Sequence, residues 1–261
     1  MGPPHPFRSG AERWGVALAI CGVLWGACST SLAQMSEPTT RKSAPARMAR
    51  DTEFLARVLG ATEEAWKQVF SSFGQRYQEP KLVLFASVVS TACGLETAAS
   101  GSFYCEGDRK VYLDTRFFSD LAAMGGSAAD FAQAYVLAHE IGHHVQTLLG
   151  ISAKVGKLEK TLSERERNAL SMRVELQADC LAGIWAHVTD QKHHMLEAGD
   201  VEAALAAATA LGNDVMQRRM QGTVVPDSFT HGTSEQRIRW FRRGLETGEL
   251  AKCDTFKAPE L

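Results

Sequence analysis

The sequence predicts an α+β domain that is predominantly helical, with a small β-sheet or hairpin. Apolar residues recur at helical spacing through most of residues 49–261, only two short runs alternate as strands do, and no repeat of solenoid length occurs. The chain has 261 residues, of which 45% are hydrophobic and 22% charged, enough for one substantial core. A net charge of −2 gives no chain-wide reason to expect a nucleic-acid partner.

Taken in order, Arg8 and Arg13 precede an uncharged, largely apolar run from Trp14 to Ala27, and Ser31-Leu32-Ala33 supplies small residues of the kind a signal peptidase accepts. Residues 1–33 therefore read as an export signal or an N-terminal membrane anchor. Trp25-Gly26-Ala27-Cys28 faintly resembles a lipoprotein processing site. Residues 34–48, with Pro38, Pro45 and scattered basic residues, read as a flexible linker, and the folded domain is expected over 49–261. Phe54-Leu55-Val58-Leu59 and Trp66-Val69-Phe70-Phe73 predict two short helices, broken near Gly60 and capped by Thr62.

Lys81 to Val89 and Lys110 to Asp114 are the two strand-like runs. Between them lie Cys93 and Cys105, which flank a glycine-containing loop and are best paired with each other in an exported protein; Cys180 and Cys253 would form a second bridge. The four cysteines that follow the N-terminal segment permit three connectivities, and free thiols in a cytosolic protein are the alternative.

Gly125-Gly126-Ser127 and Gly150 bracket a proline-free helical window containing Ala138-His139-Glu140-Ile141-Gly142-His143-His144. In a helix, His139 and His143 share one face and can grip one metal ion, while Glu140 flanks that face and reaches a metal-bound water. Leu137, Ile141, Val145 and Leu148 point to the core, and His144 points away as a structural or solvent-facing residue. Gln146 and Leu149 stand where a metzincin would have glycine and a third histidine, which excludes that continuation.

The charged stretch from Lys154 to Arg167 is expected to cover one side of a cleft. The next segment, Arg173 to Gly183, then offers Glu175 and Asp179 on one face of a helix that is apolar nearly all round and therefore buried. Beside a strip of alanines, Glu175 is placed to be the third metal ligand, and Asp179 to accept the ring N–H of a metal-bound histidine. The competing reading is an exposed acidic edge. Asp200 is expected to cap a third long helix from Val201 to about Met220, after an exposed His193-His194 pair. Pro226 to Ser234 reads as a polar turn whose His231 either donates to an oxyanion or braces the loop. The following helix carries Arg237, Arg239, Arg242 and Arg243 as a solvated face, with Trp240 and Phe241 inward.

Five stretches, HEIGHHVQ, ELQADCLAGIWA, GDVEAAL, VVPDSFTHGTSEQRIRWF and the terminal Cys253-Asp254-Thr255-Phe256, together resemble the bacterial putative neutral zinc metallopeptidase family, from about Ala49 to Phe256. The resemblance implies a zincin-like fold with a gluzincin-type site. One zinc ion would be held by His139, His143 and Glu175, with Glu140 as general base and His231 at the cleft. The expected reaction is hydrolysis of a peptide or protein substrate by zinc-bound water, aided at the oxyanion by His231 or a tyrosine such as Tyr112. Lys110 to Asp114 is expected to be an edge that pairs with extended substrate. Alternatives are a non-catalytic zinc-containing envelope binding protein, or a zinc hydrolase of a non-peptide amide or ester.

Overall fold

A single helix of 30 residues, α1 (Ser43–Ser72), begins the described chain. The computed structural model describes residues 43–97, 101–123, 126 and 130–261, and side chains from Arg50 onward within them. The export-signal reading of 1–33, most of the linker and the Ser127 cap lie outside those residues.

Helix α1 corrects the expectation of two helices. A Cβ on Gly60 would meet nothing within 4 Å, so this glycine costs only its intrinsic helix penalty, about 1 kcal/mol. The flanking turns bury Leu55, Val58, Trp66 and Phe70 in the core. Thr62 Oγ1 donates to the Leu59 carbonyl within the helix (2.7 Å) instead of capping a new one. The helix also starts inside the stretch read as linker, at Ser43.

Among the described residues five strands follow: β1 (Lys81–Phe85), β2 (Val88–Thr91), β3 (Gly94–Thr97), β4 (Ser102–Cys105) and β5 (Lys110–Asp114). The run expected as one strand to Val89 is cut at Ser87, whose positive φ of 73° turns the chain into a separate β2–β3 hairpin. The main sheet has the order β1-β5-β4, with β5 parallel to β1 and antiparallel to β4. Lys110–Asp114 is thus the central strand and not an edge. The short β4, which lacked alternation strong enough to stand out among Cys93, Gly94, Gly101 and Cys105, is one of the two edges, with β1 the other. The Cys93–Cys105 disulfide ties the hairpin turn to the end of β4.

The remainder is helical: α2 (Phe117–Ala123), α3 (Asp130–Leu148), α4 (Ile151–Leu158), α5 (Glu164–His193), α6 (Asp200–Ala210), α7 (Asn213–Gln221) and α8 (Ser234–Thr247). Capping boxes start α5, at Ser163 with Glu166, and α8, at Thr233 with Gln236, each satisfying two orphan backbone donors. Helix α5 is the axis of the domain. From Leu176 to Ala186 every side chain or glycine is buried, with α3, α8 and part of α1 packed around it.

Residues 200–221 form two helices, not one, and Gly199 takes the cap position expected of Asp200. The break at Gly212 has a local cause. Asn213 Oδ1 accepts the backbone N–H groups of Thr230 (3.0 Å) and His231 (2.6 Å), and Asp214 Oδ1 accepts that of Ser234 (2.8 Å). Both side chains thus brace the loop before α8. No helix among the described residues is long and apolar enough to cross a membrane.

Candidate metal centre

Helix α3 lies against α5 so closely that a Cβ on Gly142 would stand 2.9 Å from the Ala178 carbonyl oxygen. That approach brings the two chemically distinctive faces together. His139 Nε2 lies 3.2 Å from Glu175 Oε2, His143 Nε2 lies 3.6 Å from Glu175 Oε1, and ligand atoms of all three residues fall within 4.8 Å of one another. Two imidazole nitrogens and a carboxylate oxygen suit zinc. The test of fit is what the other ring nitrogens do: His139 Nδ1 faces Asp179 Oδ1 at 2.9 Å and His143 Nδ1 faces Gln146 Oε1 at 2.9 Å. Each acceptor takes the Nδ1 hydrogen, which leaves Nε2 to present a lone pair to a cation.

Asp179 is fully buried, and its surroundings hold it ionised. Arg237 donates through Nε to Oδ2 (2.9 Å) and through Nη2 to Oδ1 (2.9 Å), and Tyr135 donates its hydroxyl to Oδ1 (2.6 Å). Burial opposes the charge, but Arg237 and His139 outweigh it and draw the Asp179 pKa down from 3.8 to about 2. Burial likewise disfavours a charged His139, yet Asp179 and Glu175 lift its pKa to about 10. His143 is also raised against its burial, chiefly by Glu175. The Glu175 carboxyl, despite burial, is held well below its usual range by His143, His231 and His139. These shifts show how strongly Asp179 and Glu175 draw positive charge to the two imidazoles, at the point where their Nε2 atoms and the Glu175 carboxylate would share a cation.

Arg237 corrects the reading of the basic helix as wholly solvated. It is 3% exposed, and Nη1 also donates to the Leu211 carbonyl (3.2 Å). Its companion Arg243 behaves as expected of a surface cation, lying over the Trp240 ring at 4.5 Å. The missed signal was phase: Arg237, Trp240, Phe241 and Gly244 recur at i, i+3, i+4 and i+7, so Arg237 lies on the inward stripe.

Glu140 is turned to the strand side. Ser102 Oγ donates to Glu140 Oε1 at 2.9 Å, and one strand-step on, Tyr104 donates its hydroxyl to His144 Nδ1 at 3.0 Å. Two residues of strand and four of helix both advance about 6 Å, so alternate side chains of β4 match the i, i+4 pair of α3. His144 is buried, donates Nε2–H to the Gln78 carbonyl (2.6 Å), and has its pKa lowered by desolvation. Its role is structural, tying α3 to the sheet.

These groups floor an open cleft of about 960 Å³. Its walls come from β4, α4 and α7, so the charged stretch after Gly150 covers one side as helix α4 and a following turn. His231 lines the cleft, and its Nδ1 lies within hydrogen-bond distance of Thr230 Oγ1 (2.9 Å). Desolvation lowers its pKa, although Glu175 pulls the other way. Tyr112 is not at the cleft: it is buried and donates its hydroxyl to Asp108 (2.6 Å). As part of the central strand, its side chain is taken up by the sheet. Cys180 is bonded to Cys253 and is no ligand.

Comparison with known proteins gives the family of the chain. The model of the family described as "Putative neutral zinc metallopeptidase" matches residues 9–256. The chain is similar to the uncharacterized protein YpfJ of Escherichia coli K12, 44% identical across 98% of this chain and 91% of that one. It is also similar to the uncharacterized proteins Mb2605 of Mycobacterium bovis and Rv2575 of Mycobacterium tuberculosis H37Rv. Each is 37% identical across 77% of this chain and 69% of the relative. No solved structure matches. The chain belongs to the putative neutral zinc metallopeptidase family.

Proposed function

We propose that this protein is a zinc-dependent endopeptidase of the cell envelope. The observation that carries the reading is the convergence of His139, His143 and Glu175 at the floor of an open cleft, with Glu140 adjoining them. These three residues would hold one zinc ion, which supplies Lewis acidity for the scissile carbonyl and lowers the pKa of attacking water. Glu140 takes the proton of that water and passes it to the leaving amine nitrogen. Ser102 fixes one carboxylate oxygen of Glu140, so the other is the one presented to water. The edge strand β4 takes the role first expected of β5, pairing with an extended substrate backbone. His231, whose backbone N–H is held by Asn213 Oδ1, would donate to the developing oxyanion. The two disulfides support an exported domain, since such bonds persist in oxidising compartments.

The test is zinc analysis of the purified protein together with cleavage of casein and a peptide library. Glu140→Gln should retain zinc and lose about 10²–10⁴-fold in turnover. Full zinc occupancy with no peptide cleavage would replace this reading with the non-catalytic one, and turnover confined to non-peptide amides or esters would replace the substrate class.

A further inference from the structure

The two histidines of the centre are oriented by different means. His139 has the charged pair Asp179–Arg237 behind it, whereas His143 rests on a chain of neutral amides. His143 Nδ1 lies 2.9 Å from Gln146 Oε1. Gln146 Nε2 donates to the Val174 carbonyl (2.8 Å) and to Gln177 Oε1 (3.1 Å), and Gln177 Nε2 donates to the Cys253 carbonyl (2.9 Å). Gln146 and Gln177 are both buried, so neither amide can exchange these partners for bulk water.

A backbone carbonyl can only accept a hydrogen bond. Cys253 and Val174 therefore fix which end of each amide is nitrogen, and the direction of donation propagates without choice. Gln177 donates to Cys253, Gln146 donates to Gln177, and Gln146 is left with an oxygen facing the imidazole. His143 must donate from Nδ1, and its Nε2 lone pair is aimed at the site. A neutral chain does this without adding a second anion behind the ligands, which preserves the positive field that a bound divalent cation offers a carbonyl.

The far end of the chain is a half-cystine. Cys253 is joined to Cys180, on the same α5 helix as Gln177, and Thr255 Oγ1 donates to the Arg173 carbonyl (2.6 Å). We propose that Gln146 and Gln177 are positioning residues for His143, and that the Cys180–Cys253 bridge anchors their relay, so that zinc affinity depends on an intact disulfide remote from the ligands. The proposal rests on the metal-centre reading above.

The test is the dissociation constant for Zn²⁺ of the full chain, by chelator competition, with folding followed by far-UV circular dichroism. Gln146→Leu should weaken Zn²⁺ binding about 10–100-fold, the usual effect of losing a group that orients a ligand. Gln177→Leu and the Cys180→Ala/Cys253→Ala pair should each weaken it about tenfold. The discriminating readout is coupling: Gln177→Leu should cause no further loss once Gln146 is leucine, because the relay is already cut. Affinities within about twofold of wild type, or losses that multiply in the double variant, overturn the proposal. If Gln146→Leu does not fold, Gln177→Leu decides alone, weaker binding supporting the relay and unchanged binding overturning it. A wild-type chain that fails to hold Zn²⁺ overturns both the relay and the metal centre, whereas tight wild-type binding with equal binding by the variants overturns the relay only.

Discussion

Replacing Arg237 with methionine should destabilise the fold strongly. The guanidinium makes two hydrogen bonds to Asp179, one to the Tyr135 hydroxyl (3.1 Å) and one to the Leu211 carbonyl. Asp179 is 0% exposed, so the variant leaves a carboxylate in the core without its guanidinium partner and with only His139 beside it to offset the charge. Removing one partner of such a buried pair costs about 3–5 kcal/mol. For a domain of this size each kcal/mol moves the melting temperature by about 2–4 °C, which places the expected fall at about 6–20 °C. Thermal unfolding followed by circular dichroism in EDTA measures it with metal affinity removed from the comparison. The double variant Asp179→Asn/Arg237→Met should cost less than the sum of the single ones by more than about 1 kcal/mol, since no lone charge remains. A fall below about 3 °C for Arg237→Met, or strict additivity, would refute the idea that this pair is a mutually dependent unit.

Ser102→Ala should lower kcat about 10–100-fold at unchanged zinc content and nearly unchanged KM, because Glu140 loses a donor worth about 1.5–3 kcal/mol; Ser102→Thr should restore it, and an unaltered kcat in the alanine variant would show that Glu140 needs no such support. Gly142→Ala pushes a methyl group onto the Ala178 backbone and should cost about 1–3 kcal/mol in denaturant unfolding while weakening zinc binding; wild-type values for both would mean that the helices can part freely. Acid should expose the Asp179 pair. Its folded pKa lies below the unfolded 3.8, so its contribution of about 2 kcal/mol is complete above that pH and is lost as pH falls towards about 2. Melting curves of wild type and Asp179→Asn should therefore converge below about pH 4, and parallel curves down to pH 2 would contradict the assignment.

The two helices that build the centre were legible because their signals are periodic and local. His139 and His143 repeat at four, and the apolar surround of Glu175 and Asp179 marks a carboxylate that must be buried with a partner. The partner itself was harder to read. Among Arg239, Arg242 and Arg243 the charge of Arg237 looked like one of a solvated set, and only its phase with Trp240 and Phe241 set it apart. Helix α1 eluded the reading because a glycine on an exposed face lowers propensity without opposing tertiary packing. Strand β4 did so because four residues are too few to show alternation, and its value lies in a match to α3 that only the folded chain brings about. Likewise Gln146 was informative only as a departure, with Leu149, from the metzincin pattern, while its bond to His143 depends on Val174 and Gln177 of another helix.

The backbone contact of α5 with α8 has a consequence for how this family can vary. A Cβ on Gly183 would collide with the Phe241 carbonyl, so this turn of α5 is seated against its neighbour at a fixed rotation. Glu175 and Asp179 lie two turns and one turn upstream on the same rigid rod. Inserting or deleting one residue between Glu175 and Gly183 would swing the carboxylates by about 100°, like a key cut with its teeth out of step, whereas changes in the length of the α4–α5 connection leave the phase untouched. Length variation among relatives should therefore collect before Glu164 and be absent between Glu175 and Gly183.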